Sequence, residues 1–303
     1  MYRLGLDIGY SSTKLSANGK LFKLPTAISF AIDTGINYGE DEIYEYNGKK
    51  YRVGDVAIDE SFTTTKYEFL EEFGPLILFH VLNKLNLIKD GKLIEDIDLR
   101  TGLALADWSE KERFVEKLKT ITVNGITLNI NNINIIPQGA GVYYSYIHDT
   151  GTTPESAAVI DIGFNTINFL AFQDNMPIRA KCKSFPTHGV VSIIRPFTNW
   201  LEAKFKDKFT EQEAIKILLK KKYVFGGREV EGIPEMITEL KNNFIQKLFN
   251  SILVSEKKIL GTSEKVIIAG GGAYLLEDVE FPPNVVFPKD KLYEFENVKG
   301  YVL

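Results

Sequence analysis

Asp7 and Lys14 bracket a short stretch, Leu4 to Leu15, that reads Leu-Gly-Leu-Asp-Ile-Gly-Tyr-Ser-Ser-Thr-Lys-Leu. A carboxylate at a strand end can hold a metal ion through water, and a nearby ammonium can meet a phosphate as a point charge. Between them, Gly9, Tyr10, Ser11 and Ser12 make a turn whose backbone N–H groups can converge on an anion. The chemistry on offer is the handling of a phosphate chain together with its cation. An ordinary β-hairpin with a surface lysine has the same composition, so this stretch alone leaves both readings open. A second copy sharpens the first. Ala157 to Phe172 repeats the pattern apolar-Asp-Ile-Gly with Asp161, Gly163, Phe164, Asn165 and Thr166. Two such hairpins face to face would grip one phosphate chain from both sides. A third element, Val266 to Leu276, carries Gly270, Gly271, Gly272 and Ala273 after an apolar strand. Glycines there let backbone approach a ligand, and a helix beginning at Ala273 would favour negative charge. Neither G-x-x-x-x-G-K-[ST] nor a strand followed by G-x-G-x-x-G is present.

These residues need strands and helices to aim them. Leu4, Leu6 and Ile8 alternate with Gly5, Asp7 and Gly9, a strand pattern. Pro137-Gln138-Gly139-Ala140-Gly141 opens a helix, with proline in its favoured first turn and small residues that let another backbone cross. Lys66 to Leu87 has helical periodicity interrupted at Gly74-Pro75, and reads as two helices or one kinked one. His80 on its apolar stripe reads as a packed side chain rather than a ligand. Ser109 with Glu112, and Thr210 with Glu213, read as capping boxes. Asn47-Gly48 and Asn124-Gly125 are hairpin turns. Ile28 to Ile32 reads as a strand and Gly35 to Glu42 as an exposed acidic loop. Met176 to Lys183 reads as a strand, Glu235 to Ile259 as one long amphipathic helix, and His188 as a helix cap. Lys220-Lys221-Lys222 is a solvated helix end.

Composition bounds the class. A chain of 303 residues has room for two domains, and 44% hydrophobic with 25% charged residues is ordinary for a globular protein. A net charge of −4 argues against general attraction to nucleic acid. One cysteine, Cys182, excludes an internal disulfide framework and fits a reducing, cytoplasmic setting. A core strand directly after Met1 leaves no room for a signal peptide, and no apolar run suggests a membrane span.

The two Asp hairpins and the triple glycine, in this order, resemble the actin, sugar-kinase and heat-shock chaperone ATPase superfamily over most of the chain. The ending Phe-Glu-Asn-Val-Lys-Gly-Tyr, Phe295 to Tyr301, resembles the ParM-type plasmid-segregation actins and their bacterial and archaeal relatives. The resemblance implies an α/β fold of two duplicated ribonuclease-H-like domains around a nucleotide cleft. Its divisions would be 1–153 with a small outer subdomain near 26–60, 154–288, and a segment 289–303 returning to the first domain. It implies ATP or ADP with Mg²⁺ in the cleft, GTP remaining possible. Asp7 and Asp161 would hold the metal through water, and Gly9–Ser12, Gly163–Thr166 and Gly270–Ala273 would surround the nucleotide with Lys14. Gly189 would start a helix behind the second hairpin, and Glu213 and Lys216 would touch base and ribose. Gln138 would place the attacking water, although relatives more often have Glu there. An amide cannot act as a base, but phosphoryl transfer needs positioning more than proton abstraction; a helix-capping amide is the alternative. Gly300 would pack on the helix of Gly139–Gly141. Partners implied are further copies of the chain in a filament and a DNA-binding adaptor, with no direct nucleic-acid or membrane contact. A scaffold with little hydrolysis, or a monomeric phosphotransferase using Asp59, Asp98 or Asp107 as base, are the other readings.

Overall fold

The structure is a computed structural model and describes residues 1–31, 43–64 and 66–303. Its frame is one sheet topology used twice. In the first sheet the order runs Lys20–Pro25, Ser12–Ala17, Tyr2–Ile8, Ile97–Leu103, Asn132–Pro137. In the second it runs Lys183–Pro186, Thr166–Gln173, Ser156–Ile162, Lys265–Ala269, Val285–Val286, with Met176–Pro177 also on Thr166–Gln173. Each has a central strand paired antiparallel to the next strand in the chain and parallel to a later one. The register is duplicated as well. Asp7 lies opposite Lys14, and Asp161 lies opposite Asn168.

Both central strands are buried on both faces, which explains their unbroken apolar runs. Tyr67–Lys84 forms a single helix that carries Pro75 inside it. Phe73 and Leu76 to Leu82 are buried around the proline, and that packing offsets the missing N–H. His80 is buried, with Nδ1 2.9 Å from the Tyr44 hydroxyl, a packed side chain as its position on the stripe implied. Tyr44 belongs to a small outer sheet of Ile28–Phe30, Lys49–Val53 and Ile43–Tyr46, turned at Asn47 and Gly48 with φ of +50° and +72°. The acidic segment Gly35 to Glu42 lies outside the described residues.

Five expected elements differ. Pro137 is not in the first turn of a helix: it ends the strand Asn132–Pro137, and the helix begins only at Ala140, after Gly139 at φ +90°. Ser109 caps nothing, because a 3-10 turn at Leu105–Glu110 delays the helix to Lys111–Lys119. The strand expected over Met176 to Lys183 breaks at Ile178, whose N–H turns back to the Ala171 carbonyl before a 3-10 turn at Arg179–Lys181. The long C-terminal helix ends as Ile233–Leu248, followed by a π turn at Phe249–Leu253 and a short helix Lys257–Thr262. The triple glycine leads into one 3-10 turn, Ala273–Leu276, not a helix. The second capping box is present. Thr210 Oγ1 accepts the Glu213 N–H at 3.1 Å and Glu213 Oε2 accepts the Thr210 N–H at 2.7 Å, starting the helix Glu211–Lys220. Thr210→Ala is expected to cost about 1 kcal/mol, read as a lower denaturation midpoint.

The helix Glu296–Tyr301 lies across the helix Ala140–Thr150 at backbone contact. A Cβ on Gly300 would sit 1.9 Å from the Gly141 carbonyl oxygen, and one on Gly141 2.5 Å from that of Asn297. Tyr301 fills the space beside Gly102, where a Cβ would fall 1.8 Å from its hydroxyl. The expected contact of Gly300 with the 139–141 turn is therefore real, and only glycine allows it. Lys299 adds an electrostatic clamp, with Nζ 2.6 Å from Glu296, 2.9 Å from Asp290 and 3.2 Å from Asp149. Among the described residues no helix is long and apolar enough to cross a membrane.

Candidate active site

The two central strands end at the same cleft and bring Asp7 and Asp161 there. Both are nearly buried, 6% and 4% exposed. Burial drives the Asp161 carboxyl up to about 6. The Asp7 charge adds to that rise, while the Asn297 hydrogen bond, Lys14 and Asn168 oppose it. Lys14 Nζ stands 3.9 Å from Asp7 Oδ2. Gln138 Nε2 donates to Asp7 Oδ1 at 2.8 Å, and Asn168 Nδ2 reaches Gln138 Oε1 at 3.5 Å. Two buried carboxylates, one reluctant to ionise, form a donor set that a divalent cation would relieve. The set suits a hydrated metal more than a fully coordinated one, since Gln138 and Lys14 already occupy part of Asp7.

The hairpins are drawn tight at glycines that have no space for a side chain. A Cβ on Gly9 would lie 2.8 Å from the Ser12 carbonyl and 3.0 Å from Lys14 Nζ. In the second hairpin, Gly163 donates its N–H to the Thr166 carbonyl at 2.9 Å. Gly189 packs directly on that turn, where a Cβ would be 2.4 Å from the Gly163 carbonyl. Val190 and Val191 donate their N–H groups to the carbonyls of Gly163 and Phe164 at 3.1 and 2.7 Å, so the helix Val191–Phe205 braces the hairpin from behind. Asn165 and Thr166 are buried within it.

The triple glycine serves close packing. Gly270, with φ +85°, would place a Cβ 2.6 Å from Asp161 Oδ1 and 2.5 Å from the Ile162 carbonyl. Gly272 would collide with Ile162 and donates its N–H to the Ile162 carbonyl at 2.8 Å. Gly270 and Ala273 also spend their N–H groups on protein carbonyls, while a Cβ on Gly271 would meet only the Glu294 side chain, at 3.9 Å.

Several expected residues are directed elsewhere. Tyr10 turns inward and its hydroxyl donates to Asp107 at 3.3 Å, so only its backbone faces the turn. Ser11 offers its carbonyl to the Gln212 amide at 2.8 Å, and Ser12 is buried in its strand. Glu213 is engaged in the capping box, and with Lys216 it lines a cavity of about 620 Å³ beside Asp59, Phe209 and Tyr223. That cavity is bounded by neither Asp hairpin nor the triple glycine. His188 is no helix cap: exposed, it folds back to place Nδ1 2.8 Å from the Pro186 carbonyl, and the helix behind it lacks a side-chain cap. Of the other carboxylates, Asp98 is held by Arg3, Arg100 and Asn132, and Asp107 by Tyr10.

Sequence reasoning missed two buried amides. Asn168 sits where the duplicated register places Lys14 in the first hairpin, and its Oδ1 accepts the Leu105 N–H at 3.2 Å and the Ser184 hydroxyl at 3.1 Å. The equal spacing of Asp7 to Lys14 and Asp161 to Asn168 was the available signal. Asn297, in the tail motif, reaches Asp161.

Residues 5–141 match the family model for the actin-like proteins' N-terminal domain, and residues 159–279 match that for the C-terminal part of the MreB-like archaeal actin homologues. No curated protein sequence matches the chain. Among solved structures, it resembles the archaeal actin homologue Ta0583 at 21% identity, with a TM-score of 0.75 over 100% of this chain and 98% of the other. It resembles a subunit of the 15-stranded ParM filament from Clostridium botulinum at 21% identity, with a TM-score of 0.77 over 99% and 97%. Bacillus thuringiensis ParM with AMPPNP matches at 16% identity, with a TM-score of 0.71 over 100% and 97%. With each half matched by an actin-like family model and the whole chain sharing one fold with an archaeal actin and with ParM, the protein belongs to the actin-like proteins.

Proposed function

We propose that this chain is an actin-like ATPase that polymerises in a nucleotide-dependent way, its hydrolytic site lying between the two Asp hairpins. The observation that carries the reading is the convergence of Asp7, Lys14, Gln138 and Asp161 in one cleft, from three separate segments of the chain. The similar Ta0583 was solved with ADP and a similar ParM as a filament, which supports nucleotide binding and self-assembly here. The division into 1–153, 154–288 and a returning tail 289–303 belongs to the same proposal.

The residues divide the work. The first hairpin's turn, Gly9 to Ser12, and the second's, Gly163 to Thr166, flank the phosphates. Lys14 neutralises phosphate charge once its weak hold on Asp7 is exchanged for the ligand. Asp7 and Asp161 would hold Mg²⁺ through water, and the bound metal would supply charge neutralisation of the phosphate oxygens. Gln138 leaves Asp7 and orients water for in-line attack, contributing placement and not proton abstraction. Glu213 and Lys216 take part at the base only if the helix carrying them shifts toward the triple glycine. Subunits stack head to tail, a heterologous contact that generates an open filament. Cargo, in this reading a DNA segment, is reached through an adaptor protein in the cytoplasm, because the chain's net negative charge does not attract a DNA backbone.

Steady-state phosphate release tests the assignment. Gln138→Ala is expected to lower kcat by about 100-fold with little change in KM, the pattern of a group that acts in the transition state. Lys14→Ala should instead raise the KM for Mg-ATP by about tenfold or more. Equal, small effects of both on kcat and KM would remove these residues from the site.

A further inference from the structure

Asn297 lies in the tail motif, which the scheme above leaves without a chemical part. It is 5% exposed and sits on the helix Glu296–Tyr301. Its Oδ1 accepts the Gly139 N–H at 2.8 Å, and its Nδ2 donates to Asp161 Oδ2 at 3.0 Å. Both lengths are those of well-formed hydrogen bonds. Gly139, at φ +90°, follows Gln138 directly, so its N–H belongs to the peptide plane that leaves Gln138. The other side of Gln138 is fixed by its own N–H, which donates to the Leu103 carbonyl at 2.9 Å. Asn297 thus holds Asp161 with one end of its amide and the backbone of Gln138 with the other.

The helix carrying it cannot slide to accommodate a change. Gly300 on Gly141 and Tyr301 against Gly102 fix its position, and Lys299 ties it to Asp149 and Asp290. A residue that joined these groups only for stability could sit on a looser support.

We propose that Asn297 is a positioning residue for phosphoryl transfer, setting the placement of Gln138 relative to Asp161 from the helix Glu296–Tyr301. The inference rests on the hydrolytic reading of the cleft. Loss of the amide leaves the buried Gly139 N–H unsatisfied and leaves Asn168 as the remaining side-chain amide on Asp161, so the carboxylate is held less firmly. Gln138 then loses its fixed origin, and misplacement on the order of 1 Å can cost about 100-fold in rate.

Phosphate release from Mg-ATP by wild type, Asn297→Ala, Asn297→Ser, Lys299→Ala and Gln138→Ala, alone and combined, tests this. Asn297→Ala is expected to lower kcat about 10- to 100-fold with KM changed less than about threefold. Serine keeps a hydroxyl but is too short to span both groups, so it should behave similarly and keeps the test alive should the alanine variant not fold. In the Gln138→Ala background, Asn297→Ala should lower kcat by less than about threefold further, because its effect passes through Gln138. Lys299→Ala removes one hold on the same helix without touching Asp161 or Gly139, and should lower thermal stability while lowering kcat by less than Asn297→Ala does. A full multiplicative loss in the double variant, or a wild-type kcat in both Asn297 variants, overturns the inference while leaving the hydrolytic reading intact. A wild type that binds Mg-ATP and releases no phosphate overturns both.

Discussion

Asp161→Asn is expected to stop phosphate release and, at the same time, to make the nucleotide-free protein more stable. The two effects have one origin. Asp161 is 4% exposed, and burial drives its carboxyl up to about 6 from an ordinary 3.8. At pH 7 the group is ionised in a place that disfavours charge, with Asp7 adding repulsion. A rise of this size corresponds to at most about 3 kcal/mol at 1.36 kcal/mol per unit, and asparagine removes the penalty while still accepting from Asn297. The folded protein binds the Asp161 proton more tightly than the unfolded chain does. This group's penalty is therefore absent below about pH 4, grows as pH rises through about 6, and is fully present at pH 7. Denaturant unfolding of the nucleotide-free wild type should show that slope, and Asp161→Asn should lack it. Phosphate release should fall by about 100-fold or more, the scale seen when one preorganised electrostatic group is lost from a reaction centre. A variant that is both inactive and less stable across pH 5 to 8 would mean that Asp161 is a structural carboxylate.

Gly300→Ala carries the second large effect, and its sign decides between two influences. Within a helix, glycine to alanine ordinarily stabilises by about 0.5–1 kcal/mol. Here the added Cβ would stand 1.9 Å from the Gly141 carbonyl oxygen, a backbone atom that moves only if the two helices separate. Overpacking typically costs about 1–3 kcal/mol and occasionally more, and a collision with backbone lies at the upper end, so the net change is destabilising. Separation would also withdraw Asn297 from Asp161, and nucleotide binding should fall with stability. Gly261→Ala is the comparison: that helix position has open space around it and should gain a few tenths of a kcal/mol up to about 1. Equal outcomes at Gly300 and Gly261 would mean that the crossing is looser than described.

The parts of the site visible in the sequence were those that local spacing determines. The repeated Asp-Ile-Gly pattern placed both aspartates at strand ends, and Pro137-Gln138-Gly139 placed Gln138 at a helix entrance. Asn168 was legible through the equal spacing from Asp161, but an asparagine in a strand carries no chemical signature of its own. Asn297 was not legible as a partner, because its contacts with Gly139 and Asp161 join residues over 100 positions apart and depend on topology. The triple glycine announced a close approach without saying to what. The structure gives Ile162 and the Asp161 carboxylate as the atoms approached. Ser109 failed as a cap because a preceding 3-10 turn moved the helix start, a shift that a four-residue signature does not encode.

The measurement that tests the central claim most directly is 90° light scattering after addition of Mg-ATP, recorded together with phosphate release, for wild type and Asp161→Asn. A hydrolysis-coupled filament predicts scattering that rises promptly and decays as phosphate accumulates, and a variant in which scattering is either lost or persists without decay. Absence of scattering at high protein concentration, with Mg-ATP demonstrably bound, would contradict it.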